Sequence, residues 1–142
     1  MKTISVLAFA VLVACSPATK PPSIDEAVTK EVLDHHLKTL QANDVEGVIS
    51  DYTNASILIT QEGTYKGLAE IRENFVKVFQ VMPTSGTTIT FLKSTVSRDV
   101  AYVVWKAVTP TLEFKFATDT FIVIDGKIAS QTFAGDLVQK IQ

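Results

Sequence analysis

The chain has 142 residues, of which 46% are hydrophobic and 20% charged, with a formal net charge of -2. This balance excludes a disordered or low-complexity chain. It also supplies no basic field for a phosphate backbone, so no nucleic-acid partner is expected. A single cysteine excludes an intramolecular disulfide and a cysteine-based zinc cluster, and the length fits one domain.

The first segment reads as an address. Met1-Lys2 is followed by an apolar run through Ala14, too short to span a bilayer and suited to a signal h-region. Leu12-Val13-Ala14-Cys15 looks like a bacterial lipobox, in which the cysteine is lipidated and becomes the new N-terminus. The alternative is an ordinary secretory signal with an incidental cysteine. Residues 1–14 are thus expected to be a lipoprotein signal peptide. The proline-rich residues 15–23 are expected to be an extended tether. Membrane attachment is through a lipid on Cys15. Ser16, rather than aspartate, after the cysteine implies the outer membrane of a bacterial envelope, facing the periplasm.

The folded body is expected over residues 24–142. Ser23 with Glu26 reads as a capping box, predicting a helix over 24–42. Val28, Val32, Leu33, Leu37 and Leu40 form its apolar arc, with His36 near the middle of that arc and His35 at its edge. Asn43-Asp44 breaks the pattern. Val45, Val48, Ile49 and Tyr52 then predict a second short helix. Residues 55–60 read as a strand and 62–67 as a turn. A third helix is predicted over 68–81, ended by Met82-Pro83. Strands are predicted over 87–96, 100–108, 112–124 and 128–137. Arg98-Asp99 and Asp125-Gly126 are their tight turns, the latter a type I′ signal.

The order is α-α-β-α-β-β-β-β, an α+β arrangement with three N-terminal helices packed on a curved, mostly antiparallel sheet. Phe114 and Phe116 share one strand parity, Phe121 and Val123 the other. Both sheet faces therefore want cover, and a homodimer is the expected cover for the second face. The alternative is mutual packing within a strongly curled sheet.

The body resembles the nuclear transport factor 2-like superfamily, in its SnoaL-like and ketosteroid-isomerase-like branch. The resemblance rests on His35-His36-Leu37-Lys38 through Ala42-Asn43-Asp44, on Asp51-Tyr52-Thr53, and on Gly67-Leu68-Ala69-Glu70-Ile71-Arg72. It rests also on Asp119-Thr120-Phe121 leading into Asp125-Gly126-Lys127-Ile128. It implies a cystatin-like cone whose wide end holds an apolar pocket and whose sheet often dimerises. Its members include isomerases, dehydratases, polyketide cyclases and binding modules, so the fold leaves the chemistry open.

By that resemblance His36 falls where the isomerase places a substrate-binding tyrosine. The other reading of His36 is a core histidine satisfied by a backbone carbonyl or by Tyr52. Ile59 falls where the catalytic aspartate should stand, and it cannot abstract a proton. The second acid would fall near Thr120, with Asp119 adjacent. His36 and Asp119 are the candidate acid-base residues, as a pair if the two meet. Tyr52, Trp105, Phe121 and Phe133 are candidate ligand-binding walls or ordinary core. Arg72 and Lys115 are either anion partners or solvated charges. No cofactor or metal is expected, since no HExxH, Walker, GxGxxG or GxSxG motif is present. The expected function is binding of a small apolar organic ligand. The rival is a cofactor-free isomerase, dehydratase or cyclase using His36, and a third reading is a structural or partner-binding module with a filled cone.

Overall fold

The computed structural model describes residues 22–140. The signal segment, Cys15 and most of the tether therefore lie outside the described residues. The elements run α1 (Glu26–Gln41), α2 (Val45–Ser50), β1 (Tyr52–Ile59), β2 (Thr64–Lys66), α3 (Gly67–Val81), β3 (Thr88–Ser97), β4 (Val100–Val108), β5 (Leu112–Ile124) and β6 (Lys127–Gln139).

Four boundaries differ from the sequence reading. Helix α1 is capped by Asp25, whose side chain accepts from the Ala27 amide, rather than by Ser23. Tyr52 belongs to β1 and not to the second helix. Thr64–Lys66, read as turn, forms a short edge strand antiparallel to β1. Helix α3 follows this hairpin, so only two helices precede the sheet. Three residues are too few for a period-2 pattern to be seen, which is why the sequence hides β2.

The six strands form one sheet in the order β2-β1-β6-β5-β4-β3. All neighbours are antiparallel except β1 and β6. Both expected tight turns form, with positive φ at Arg98 (55°), Asp125 (52°) and Gly126 (72°). The core joins Leu33, Val48, Ile71, Phe75, Val103, Phe121 and Ile128 between the helices and one face of the sheet.

Register shifts bend the long strands. They fall between Phe91 and Lys93 on β3, between Trp105 and Ala107 on β4, and between Phe114 and Phe116 on β5. A bulge adds a residue, increases twist and re-aims the side chains around it. Phe114 and Phe121 have opposite sequence parity, yet both are buried, while Phe116 is exposed. The parity argument for two apolar faces thus loses part of its basis. The bulge, and not a second buried face, reconciles Phe114 with Phe121.

Candidate functional site

His36 lies on α1 between Leu33 and Leu40, where the helical period carries it inward, and its residue is 1% exposed. Three rings meet it edge-on: Tyr52 and Phe75 at 5.7 Å and Phe121 at 5.1 Å between centroids. Its Nδ1 lies 3.3 Å from Asp51 Oδ2. His35 brings its own Nδ1 to within 2.7 Å of Asp51 Oδ1. Adjacent helical residues diverge by about 100°, and Asp51, just after α2, bridges that divergence with its two oxygens. Asp51 has no part in the sequence-based site. No periodicity marks it, because it is fixed by the short α2 turn packing against α1.

Asp119 sits on β5, 8% exposed. Trp105 on β4 and Gln131 on β6 are its diagonal neighbours on the same sheet face. Trp105 Nε1 donates to Asp119 Oδ2 at 2.7 Å, and Gln131 Nε2 donates to Oδ1 at 2.8 Å. The Tyr52 hydroxyl donates in turn to Gln131 Oε1. Burial pushes the Asp119 carboxyl above the usual aspartate range. The two donors and the nearby His36 pull against that shift without cancelling it. Burial, with Asp119 and Asp51 nearby, raises the Tyr52 phenol well above its ordinary value, so it remains a donor.

A cavity of about 360 Å³ opens between the sheet and helices α1 and α3. Its inner wall includes His36, Phe75, Trp105, Asp119, Phe121 and Gln131, and Phe91, Phe114 and Phe133 extend the apolar lining. Its outer part includes the exposed Glu62 and Lys77. The extra residues lie on β3, next to Phe91, and on β5, next to Phe114, and the rings of Phe91, Trp105 and Phe114 all line the same space. A smaller cavity of about 110 Å³ lies alongside, sharing Leu40, Val78 and Met82.

The structure thus brings together five of the six residues singled out in the sequence as walls or acid-base groups. The sixth, Tyr52, stands behind the lining and reaches it through Gln131. His36 and Asp119 both line the cavity, but each has a different partner. Asp51 serves His36, while Trp105 and Gln131 serve Asp119. The condition for an acid-base pair, a direct His36–Asp119 hydrogen bond, is not met among the described residues. His36 Nε2 has no hydrogen bond among those residues either. The ring lines the cavity while its residue is only 1% exposed.

Arg72 forks onto Glu46 at the surface, and Lys115 is exposed outside the lining. Neither is an anion partner for the cavity. Ile59 is 47% exposed and also outside the lining, whereas its neighbours Leu58 and Thr60 contribute to it. The position where the resemblance would set a catalytic aspartate therefore faces away from the site. Among the described residues no cluster of three or more His, Cys, Asp or Glu is arranged to hold a metal.

No family model matches the chain, and no curated protein matches it in sequence. Solved structures do match. A SnoaL-like protein of unknown function from Burkholderia thailandensis E264 superposes with a TM-score of 0.64 at 10% identity, covering 80% of this chain and 98% of that one. A provisionally named ketosteroid isomerase from Kribbella flavida DSM 17836 gives 0.66 at 12% identity, covering 84% and 85%. A provisionally named polyketide cyclase from Sinorhizobium meliloti gives 0.63 at 18% identity, covering 73% and 94%. At such identities the likeness establishes the fold: a nuclear transport factor 2-like, cystatin-like α+β half-cone.

Proposed function

We propose that this chain binds a small organic ligand with an apolar body, seated in the half-cone with its polar end against His36 and Asp119. One observation carries the reading. A cavity of about 360 Å³, within the usual range for small-molecule sites, is walled by aromatic rings and includes two buried titratable groups in its lining. Ordinary core packing leaves few voids larger than a water molecule. Native mass spectrometry of the protein purified from its own host tests this reading. The expected spectrum contains a stoichiometric small-molecule adduct that collisional activation removes. A bare chain mass in every charge state contradicts it.

A second reading has its own support. His36 is held at Nδ1 by a carboxylate and lines the cavity, with no hydrogen bond at Nε2 among the described residues, the arrangement of a base oriented by a third group. The same pocket then serves a cofactor-free isomerisation, dehydration or cyclisation with His36 as acid-base. Incubating the co-purified species with wild type and with His36→Gln decides between the two. Conversion by wild type alone supports the enzyme, and an unchanged species in both supports binding.

The reading extends to address and assembly. A lipid on Cys15 tethers the domain to the outer membrane of the envelope, facing the periplasm. Metabolic labelling with an alkyne fatty acid is expected to mark wild type and to fail on Cys15→Ser. The domain pairs as a homodimer through the sheet face that carries the exposed Leu92 and Phe116. Sedimentation is expected to give the dimer mass for wild type and the monomer mass for Phe116→Lys.

A further inference from the structure

The deep end of the cavity is rich in acceptors and has spent its donors. The Trp105 indole N–H is used on Asp119, and so is Gln131 Nε2. The Tyr52 hydroxyl is used on Gln131. In the neutral tautomer that donates Nδ1–H to the Asp51 carboxylate, His36 Nε2 is an acceptor. Each Asp119 oxygen accepts one protein hydrogen bond and retains capacity for another. A ligand group reaching this end meets lone pairs.

The charge has the same sense. The buried polar and charged residues are Thr29, His36, Thr39, Asp51, Ser56, Thr109, Asp119 and Gln131. Among the described residues two of these are carboxylates and none is lysine or arginine. Asp51 is shared between two imidazoles, whereas Asp119 is met by neutral donors alone. Lys77, in the outer part of the lining, is exposed and is accompanied there by the exposed Glu62. A desolvated carboxylate that hydrogen-bonds only to neutral donors is costly to an empty site. The walls around it are the rings of Phe75, Phe114, Phe121, Phe133 and Trp105, whose negative faces attract a cation and disfavour an anion.

From this geometry we infer the chemical class of the ligand: an apolar amine, bound as its ammonium ion, with N–H groups donated to Asp119 and His36 Nε2 and its hydrocarbon body against the aromatic wall. The inference rests on the ligand-binding reading above and narrows it. Carboxylates and phosphates are excluded from the deep end, and neutral alcohols bind by their apolar body with one weaker hydrogen bond.

The test uses three probes on one skeleton: 4-phenylbutylamine, 4-phenylbutanol and 4-phenylbutanoate, titrated calorimetrically into the full-length chain near neutral pH. The amine is expected to bind roughly tenfold more tightly than the alcohol, the margin of one charge-assisted hydrogen bond. The carboxylate is expected to give no saturable heat. In Asp119→Asn the amine is expected to fall to the affinity of the alcohol, while the alcohol changes little. Alcohol binding that equals or exceeds amine binding in wild type overturns the amine assignment and leaves the ligand-binding reading standing. Saturable binding of the carboxylate overturns the assignment in the same way. Absence of heat with all three probes overturns both. The wild-type comparison decides without the variant, should Asp119→Asn fail to fold.

Discussion

Two buried carboxylates in this interior are held in opposite ways. Asp51, where α2 runs into β1, is divided between two imidazoles that tie it to α1. Asp119, in the cavity wall, receives neutral donors and remains above the usual aspartate range because burial outweighs them. One carboxylate fastens elements together. The other is a desolvated carboxyl facing a space large enough for a ligand. Folding alone explains the first, whereas the second is the kind of local cost that a binding partner offsets.

Four substitutions sharpen this contrast. Removing the fastening carboxylate is expected to cost most. Asp51→Ala leaves the buried His36 Nδ1 without an acceptor and opens a small void, lowering unfolding free energy by about 3 kcal/mol in urea titrations. An unchanged midpoint would show that the two histidines do not depend on it. Tyr52→Phe strips Gln131 Oε1 of its buried donor, and a loss of about 1–2 kcal/mol is expected.

Asp119→Asn is expected to change unfolding free energy near neutral pH by no more than about 1 kcal/mol, because the gain from removing a desolvated charge is offset where one of the two donors, Trp105 Nε1 or Gln131 Nε2, meets an amide NH2 in place of an oxygen. The pH dependence follows from the sign of the shift. The folded carboxyl titrates higher than the unfolded one, so its contribution to stability is fully present below the ordinary aspartate range. That contribution is lost as pH rises through the folded value. A wild-type stability curve that declines across this window relative to Asp119→Asn is expected in thermal scans at stepped pH. Parallel curves would contradict the burial argument.

The smallest change belongs to His35. Its side chain is 47% exposed, so His35→Gln should alter the unfolding midpoint by no more than about 0.5 kcal/mol. A larger loss would make the solvent-facing imidazole a full partner in the fastening.

The sequence made the two ends of this contrast unequally legible. His36 stood out because a polar residue in the apolar arc of α1 breaks a helical pattern. Asp119 is singled out only through the resemblance, beside Thr120, and Phe121 and Phe133 only as large residues of long strands. Asp51 and Gln131 carried no such signal. Each becomes part of the site only through contacts across 12 to 16 residues or between neighbouring strands. A His36–Asp119 pair, conditional in the sequence on the two meeting, gives way to these separate partners. Bulges were equally hidden, since an inserted residue shows in the sequence only as a parity change. Phe114 and Phe121 were for that reason assigned to opposite faces, although both are buried. The address carried by Cys15 was legible in sequence and lies outside the described residues.

Trp105 is the one tryptophan in the chain and its indole N–H is bonded to Asp119, so a proton–nitrogen NMR spectrum offers a single indole signal at the centre of the site. Titrating 4-phenylbutylamine into the labelled protein is expected to move that signal saturably and to the same end point at every protein concentration. A signal that stays in place up to the solubility limit of the probe would contradict an open, ligand-accepting half-cone.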